Sequence, residues 1–293
     1  MLLIPAHAKV NLCLSVRGRR PDGFHDIDSV AVTVDWHDLV GITLRPAAHT
    51  AVRLRVASAG GVPSGDDNLA ARAARAVAAV AGPLEAQLWL DKRVPASAGL
   101  GGGSADAAAV LRGCASLAGG GALGADRRGL LDKATLERLA TSLGSDVPML
   151  FHGGAQRVRG RGELLEPLAT AHLHLVVAVA GESSTTAAFA AVQGHDLEDG
   201  ARPRAVAAAL EAGRRPGDDL LGSGLEDAAC RANPVLDERL LALRAALPEV
   251  RWHLTGSGGA AFALMEGPAP AQELATAAAG AGFPARACRT VST

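Results

Sequence analysis

From Pro95 to Ala107 the chain reads Pro-Ala-Ser-Ala-Gly-Leu-Gly-Gly-Gly-Ser-Ala-Asp-Ala, and an alanine-rich stretch follows directly. Few structures accommodate such a segment. Gly99, Gly101, Gly102 and Gly103 carry no Cβ, so their backbone N–H groups can approach an anion closely. A helix opening at Ser104-Ala105-Asp106 adds unpaired donors and the positive end of a helix dipole. Phosphate is the natural guest. The segment is not a P-loop, because no Gly-Lys-[Ser/Thr] follows. Nor is it a dinucleotide fingerprint, since Ser104 stands where a third glycine is required. The competing reading is a plain turn with Ser104 as helix N-cap.

The rest of the chain excludes several classes of protein. Of its 293 residues, 48% are hydrophobic and 20% charged, an ordinary globular mix that rules out disorder as the main theme. A net charge of −1 offers no broad basic face to nucleic acid or to an anionic membrane. No apolar run reaches the roughly 18–20 residues of a bilayer span. Met1-Leu2-Leu3-Ile4-Pro5 lacks the basic start and apolar stretch of a signal peptide. Cys13, Cys114, Cys230 and Cys288 are scattered and form no CxxC pair. This is the pattern of a reduced, cytoplasmic chain without structural zinc. Lysine occurs only at Lys9, Lys92 and Lys133 among 29 cations. Where arginine is the default cation, a lysine within an apolar strand draws attention to its compact ammonium, and Lys9 is such a residue.

The spacing predicts a strand through Lys9–Val16, where Val10, Leu12, Leu14 and Val16 alternate with more polar neighbours. Further strands are expected at Ser29–Val34, Leu39–Leu44, Val52–Val56 and Leu84–Leu90. Asp66-Asp67-Asn68 caps a helix that reaches Ala81, and Ser104–Leu117 and Thr135–Leu143 are also helical. After residue 150 the pattern restarts, with strands at Leu173–Ala180, Trp252–Leu254 and Ala260–Met265. Helices are expected there at Arg204–Ala212, Pro234–Leu247 and Gln272–Ala281. Strands mostly separated by helices suggest α+β or α/β layers, and the length suggests two domains.

Pro95–Ala107 resembles the second motif of the GHMP kinases, P-x-x-x-G-L-G-x-G-S-[SA]-x-A. Three further segments are similar to the branch of that superfamily that phosphorylates 4-diphosphocytidyl-2-C-methyl-D-erythritol. They are Ala8-Lys9-Val10-Asn11-Leu12-x-Leu14 with Arg20-Pro21-Asp22-Gly23-Phe24-His25, then Gly144-Ser145-Asp146-Val147-Pro148 with Gly160-Arg161-Gly162-Glu163, and Leu254-Thr255-Gly256-Ser257-Gly258. The Asp-Gly-Phe-His segment separates this branch from relatives acting on homoserine, mevalonate or galactose. Three positions depart from the pattern, the mildest being Phe24, which keeps the ring of the commoner Tyr and loses only its hydroxyl. Ser97 replaces a glycine of the phosphate loop, which is tolerable if its φ is negative, and Ser223 stands where the branch carries Asn.

The resemblance implies a two-domain α+β GHMP kinase fold. An N-terminal domain over residues 1–155 would be like domain 2 of ribosomal protein S5, and a C-terminal domain over 156–293 would be ferredoxin-like. It implies ATP and Mg²⁺ as cofactors, a small-molecule substrate, and a monomer or homodimer without nucleic-acid or membrane partners. Asp146 is then the general base that accepts the substrate's hydroxyl proton, and Lys9 orients that hydroxyl and keeps Asp146 ionised. Read without the motifs, Asp146 is a cap beside Pro148 and Lys9 a cation on a solvated strand face. The ATP phosphates fall on Pro95, Ala96, Ser97, Ala98, Gly99, Leu100, Gly101, Gly102, Gly103, Ser104 and Ala105, with Ser104 touching a phosphate or Mg²⁺. Asn68 lies near the adenine or simply caps its helix, and Asp106 serves as a first-turn dipole partner. For the substrate, Asn11, Gly256, Ser257 and Gly258 line the site, Phe24 and Phe189 sandwich the cytosine, and His25 reads its edge. His172 and His174 carry no metal. The alternatives are a GHMP kinase for another small alcohol and an inactive nucleotide-binding homologue.

Overall fold

The computed structural model describes residues 1–57, 65–127, 129–169 and 172–292. Strands β1 (Leu2–Arg19) and β2 (His25–Pro46) have 18 and 22 residues, well beyond the usual length of roughly 3–10. Each contributes residues to both of two compact units. The first unit comprises Met1–Ala8, His37–Val94 and Gly101–His152, and the second Lys9–Trp36, Pro95–Leu100 and Gly153–Thr293. One change of unit, at His152/Gly153, falls near the expected boundary at residue 155. The others do not follow a single cut in sequence, because a strand longer than one core is shared between two. The glycine-rich segment itself is divided after Leu100.

In the first unit, β3 (Ala51–Val56), α1 (Leu69–Ala81), β4 (Leu84–Asp91), α2 (Gly102–Gly119), α3 (Lys133–Leu143) and α4 (Val147–His152) follow in order. The second half of β2 pairs antiparallel with β4, and β4 pairs parallel with β3. Leu84, Ala86, Leu88 and Leu90 alternate into the core of this unit, as period-two patterning requires. Helices α1 and α2 bury mostly alanines, Ala70, Ala71, Ala73 and Ala74 from one and Ala105, Ala107, Ala108 and Ala109 from the other. Small side chains allow their backbones to pack closely. Sequence missed α4, which is six residues long with Pro148 in its first turn.

A charged cluster lies within this unit. The Lys92 ammonium donates to Asp38 and, at 2.9 Å, to Asp106, and all three side chains are buried. Asp38 also accepts the N–H groups of Arg93 and Val94 at 2.5 and 2.8 Å. Burial opposes the charge on Lys92, but Asp106 and Asp38 outweigh it and hold the ammonium above its ordinary pKa. Burial pushes the Asp106 carboxyl up to about 8; Lys92 pulls it back and Asp38 pushes it further. Its Oδ1 is buried without a hydrogen-bond partner, which suits a neutral carboxyl. Asp106 is thus a buried ion partner in the second turn of α2. The first-turn dipole role fails because the helix starts at Gly102.

In the second unit come β5 (Ala155–Gly160), β6 (Leu164–Leu168), β7 (His174–Val179), α5 (Thr185–Ala190), α6 (Ala201–Glu211), β8 (Gly222–Ser223), α7 (Glu226–Ala232), α8 (Pro234–Ala246), β9 (His253–Leu254), β10 (Ala260–Met265), α9 (Pro268–Gly280) and β11 (Ala285–Arg289). The first half of β2 pairs with β5 and β5 with β6, both antiparallel, while β8 runs parallel to β1. The other sheet has the order β11-β7-β10-β9, all antiparallel. Numbering its strands 1 to 4 along the chain gives the order 4-1-3-2, with α8 after the first strand and α9 after the third. This is the β-α-β-β-α-β arrangement expected from the ferredoxin-like resemblance. Its core is Val176, Leu236, Leu240, Leu243, Trp252, Leu254 and their neighbours. All four cysteines are free, and burial pushes each thiol up to about 12. Among the described residues, no helix is long and apolar enough to cross a membrane.

Removing the lysine from a buried cluster leaves two carboxyl groups facing each other without their cation. We expect Lys92→Met to cost about 3–5 kcal/mol at neutral pH, measured by denaturant unfolding, and Asp106→Asn to cost less than about 1 kcal/mol, because a neutral isostere replaces a largely neutral carboxyl.

Candidate active site

Lys9 and Asn11 are two residues apart on β1, so they point to the same side of the strand. Both are buried, and Lys9 Nζ donates to Asn11 Oδ1 at 2.5 Å. Asn11 is fixed from two further directions: its backbone N–H donates to Thr255 Oγ1 at 2.8 Å and its Nδ2 to Ser29 Oγ at 2.8 Å. The Ser29 hydroxyl in turn donates to the Cys13 carbonyl at 2.7 Å. Lys9 is therefore no solvated edge cation but a buried ammonium held in a polar network.

The Thr255–Gly258 loop lies against this pair. A Cβ on Gly256 would stand 2.9 Å from Asn11 Oδ1 and 3.3 Å from Lys9 Nζ. Three hydroxyls pin the loop. Ser223 Oγ donates to the Gly256 carbonyl at 2.6 Å, Ser183 Oγ donates to the Ser257 carbonyl at 2.6 Å, and Thr185 Oγ1 lies 2.8 Å from Ser257 Oγ. Ser223 also accepts the Leu225 N–H. The serine that replaces the expected Asn thus still ties the loop to the start of α7. Sequence reading assigned nothing to Ser29, Ser183 and Thr185, since a hydroxyl that bonds a segment far along the chain leaves no local signal.

Within the same unit, Pro95–Leu100 runs along this loop. Leu100 accepts the Lys9 N–H at 2.9 Å, and the Ser97 carbonyl accepts the Ser183 N–H at 2.9 Å. Gly99 has φ +75, and a Cβ on it would overlap the Gly258 carbonyl oxygen. Ala98 is buried against Gly259, whose Cβ would come within 2.7 Å of the Ala98 backbone. Backbone meets backbone, which only glycine permits. Ser97 stands at φ +58, so the negative φ that would have made this serine harmless is not what the fold imposes. In this left-handed conformation its carbonyl accepts the Ser183 N–H.

In the first unit, α2 begins at Gly102, two residues before the expected Ser104. Gly101 is its N-cap at φ 71, and no side chain caps the helix. Gly102, Gly103, Ser104 and Ala105 therefore form an uncapped first turn on an 18-residue helix, the form a phosphate-binding N-terminus takes. Asn68 caps α1, its side chain accepting the Ala70 N–H at 2.9 Å. Asp146 is exposed in the turn before α4 and its carbonyl accepts the Leu150 N–H.

The aromatic residues differ from the expected sandwich. His25 stacks on Phe189, with ring centroids 5.4 Å apart and planes 23° from parallel. Phe24 is 54% exposed and carries the Arg161 guanidinium on its ring at 3.9 Å. The turn explains the exchange. Asp22 accepts the Phe24 N–H and Arg20 bonds the Phe24 carbonyl, so Phe24 belongs to the turn and His25 opens β2. Burial and then Arg19 lower the His25 pKa, which favours a neutral ring. Phe189 sits on α5, half-buried, and packs against Leu14, Val16 and Leu225.

Comparison with known proteins places these features in context. Residues 68–154 match the family model for the GHMP kinases N terminal domain. A protein of Salinispora arenicola named 4-diphosphocytidyl-2-C-methyl-D-erythritol kinase is 38% identical over 278 residues, covering 92% of this chain and 84% of its own length. A crystal structure titled 4-(cytidine 5'-diphospho)-2C-methyl-D-erythritol kinase matches with a TM-score of 0.80 and 34% identity, covering 100% of both chains. Homoserine kinase from Cytophaga hutchinsonii matches with a TM-score of 0.67 at 17% identity over 99% of this chain and 94% of its own. That last likeness concerns the fold alone.

Two substitutions test the packing of Pro95–Leu100. Ser97→Gly relieves a left-handed serine and is expected to raise stability by about 1 kcal/mol, read as a higher thermal midpoint. Gly99→Ala drives a methyl into a carbonyl and is expected to cost about 3 kcal/mol. An unchanged midpoint in either variant means that the segment does not adopt this backbone path.

Proposed function

The chain belongs to the 4-diphosphocytidyl-2-C-methyl-D-erythritol kinase family of GHMP kinases, and on that premise we propose that it transfers the γ-phosphoryl group of ATP to the 2-hydroxyl of that cytidyl-linked sugar alcohol. It is an ATP-dependent small-molecule kinase, and the step belongs to the non-mevalonate route to isoprenoid precursors. The observation that carries the substrate assignment is the Phe24–His25 turn, with His25 stacked on Phe189. A cluster of exposed and half-buried rings suits a nucleobase, and homoserine or mevalonate has no use for one.

Phosphoryl transfer depends on positioning and charge stabilisation more than on covalent chemistry. The uncapped first turn of α2, Gly102–Ala105, is the proposed seat of the triphosphate, continued by Pro95–Gly101. Ser104 is the proposed protein contact for Mg²⁺, which would supply positive charge against the negative charge of the phosphates. Asn68 caps its helix and stands as the proposed adenine contact. Asp146 is the proposed general base: exposed, preceding α4 and acidic, it can take the proton that the attacking hydroxyl loses. Lys9, held by Asn11 next to Gly256, offers that hydroxyl a fixed positive charge. Asn11 and Gly256–Gly258 bound the sugar-alcohol end, while Phe24, His25 and Phe189 receive the cytosine. In this reading residues 1–155 form the nucleotide-binding domain and 156–293 the substrate domain, in a cytoplasmic monomer or homodimer.

Purified protein with Mg-ATP should release ADP in the presence of 4-diphosphocytidyl-2-C-methyl-D-erythritol and not with homoserine or mevalonate. Turnover with another alcohol would remove the cytosine slot from the mechanism. Asp146→Asn is expected to lower kcat by roughly 10²-fold or more, the usual scale for a general base, with the KM for ATP nearly unchanged. Wild-type turnover in that variant would refute the assignment of the base.

A further inference from the structure

The Gly160-Arg161-Gly162-Glu163 turn takes no part in the chemistry derived above, yet its placement is closely specified. In the β2–β5 register Gly160 lies opposite Ile27, so the β5–β6 turn meets the chain only three residues beyond Phe24. The turn is tight. Gly162 N–H donates to the Arg159 carbonyl at 3.2 Å, and the Glu163 carboxylate accepts the Arg161 N–H at 2.5 Å. A Cβ on Gly160, at φ +72, would come within 2.6 Å of that carboxylate. This geometry delivers the Arg161 side chain to Phe24. The guanidinium carbon lies 3.9 Å from the ring centroid, and Nη1 lies 3.8 Å from Asp22 Oδ2. Asp22 in turn accepts the Phe24 N–H and pairs with Arg20 at 3.4 Å.

We propose that Arg161 is a positioning residue for the base end of the substrate: its guanidinium holds one face of the Phe24 ring and leaves the other face for the cytosine. The inference rests on the reading of Phe24 as part of the cytosine slot. An aromatic ring that is 54% exposed on a turn would sample several rotamers, and a base landing on it must order it. A planar cation stacked on the ring and tethered to Asp22 does that ordering in advance. The gain appears in substrate binding and not in the chemical step, because Arg161 acts at the base and not at the reacting hydroxyl.

The test is steady-state kinetics of the full-length enzyme with Arg161→Ala, Arg161→Lys, Phe24→Ala and the Phe24→Ala/Arg161→Ala double variant. Thermal midpoints should accompany the kinetics to confirm folding. Arg161→Ala should raise the KM for the cytidyl substrate roughly two- to fivefold, the scale of one partly exposed cation–π contact. Its kcat and its KM for ATP should stay at wild-type values. Arg161→Lys, which keeps the cation, should recover part of the loss. In the Phe24→Ala background, removing Arg161 should add nothing further. An equal KM increase with and without Phe24, or a fall in kcat, would overturn the proposal. A raised KM in Phe24→Ala with an unaffected Arg161→Ala would overturn it while leaving the cytosine slot intact. An unaffected Phe24→Ala would remove the slot, and the role of Arg161 with it.

Discussion

In the second unit the carbonyl of Gly258 occupies the space that any side chain on Gly99 would need. Much else follows from that one contact. Two glycine-bearing segments, separated by more than half of the chain, pack backbone to backbone, with Gly259 against Ala98 completing the seam. Because the segments touch without intervening side chains, the Thr255–Gly258 loop also reaches Lys9 and Asn11. Lys9 then finds its hydrogen-bond partner on its own strand, while Asn11 finds its partners on the loop and on β2. A methyl group at any of these glycines would separate the elements that bring the buried ammonium, the amide and the loop together.

The strain at Ser97 belongs to the same constraint. The path that lets Gly99 meet Gly258 also requires a left-handed residue two positions earlier, and serine accepts it at a cost of about 1–2 kcal/mol. Its carbonyl is rewarded with the Ser183 N–H, and Ser183 spends its hydroxyl on the Ser257 carbonyl. The first unit solves a different problem. Its alanine-rich helices pack closely, and beneath the opening of α2 it buries an ammonium between two carboxylates. Burying three ionisable side chains is tolerable because Asp106 shares or holds a proton, so the cluster is close to neutral.

The aromatic residues show how neighbours in sequence take different tasks. Phe24 and His25 are adjacent, yet the Asp22 carboxylate captures the Phe24 N–H and keeps that residue in the turn, while His25 enters β2 and stacks on Phe189. At the end of β5, the strand paired with β2, the Gly-Arg-Gly-Glu turn brings Arg161 onto the Phe24 ring. The two ring contacts, His25 on Phe189 and Arg161 on Phe24, are therefore assembled from a hairpin turn, a six-residue helix and a second hairpin.

Much of this was legible in the sequence. Period-two alternation marked β1 and β4, Asn68 announced the cap of α1, and four glycines before an alanine-rich run announced the start of α2 to within two residues, because these signals act over a few residues. The α+β class and the ferredoxin-like strand order also agreed with the motif resemblance. Tertiary structure decided what depends on partners far along the chain. The positive φ of Ser97 belongs to a path that packs against Ser183 and Gly258, and the burial of Lys9 depends on Asn11 and Gly256. Asp106 became an ion partner because Lys92 and Asp38 meet it, and strands of 18 and 22 residues were divided between two cores. Local propensity cannot encode these outcomes. Each is fixed by a contact whose energy exists only after a distant segment has arrived.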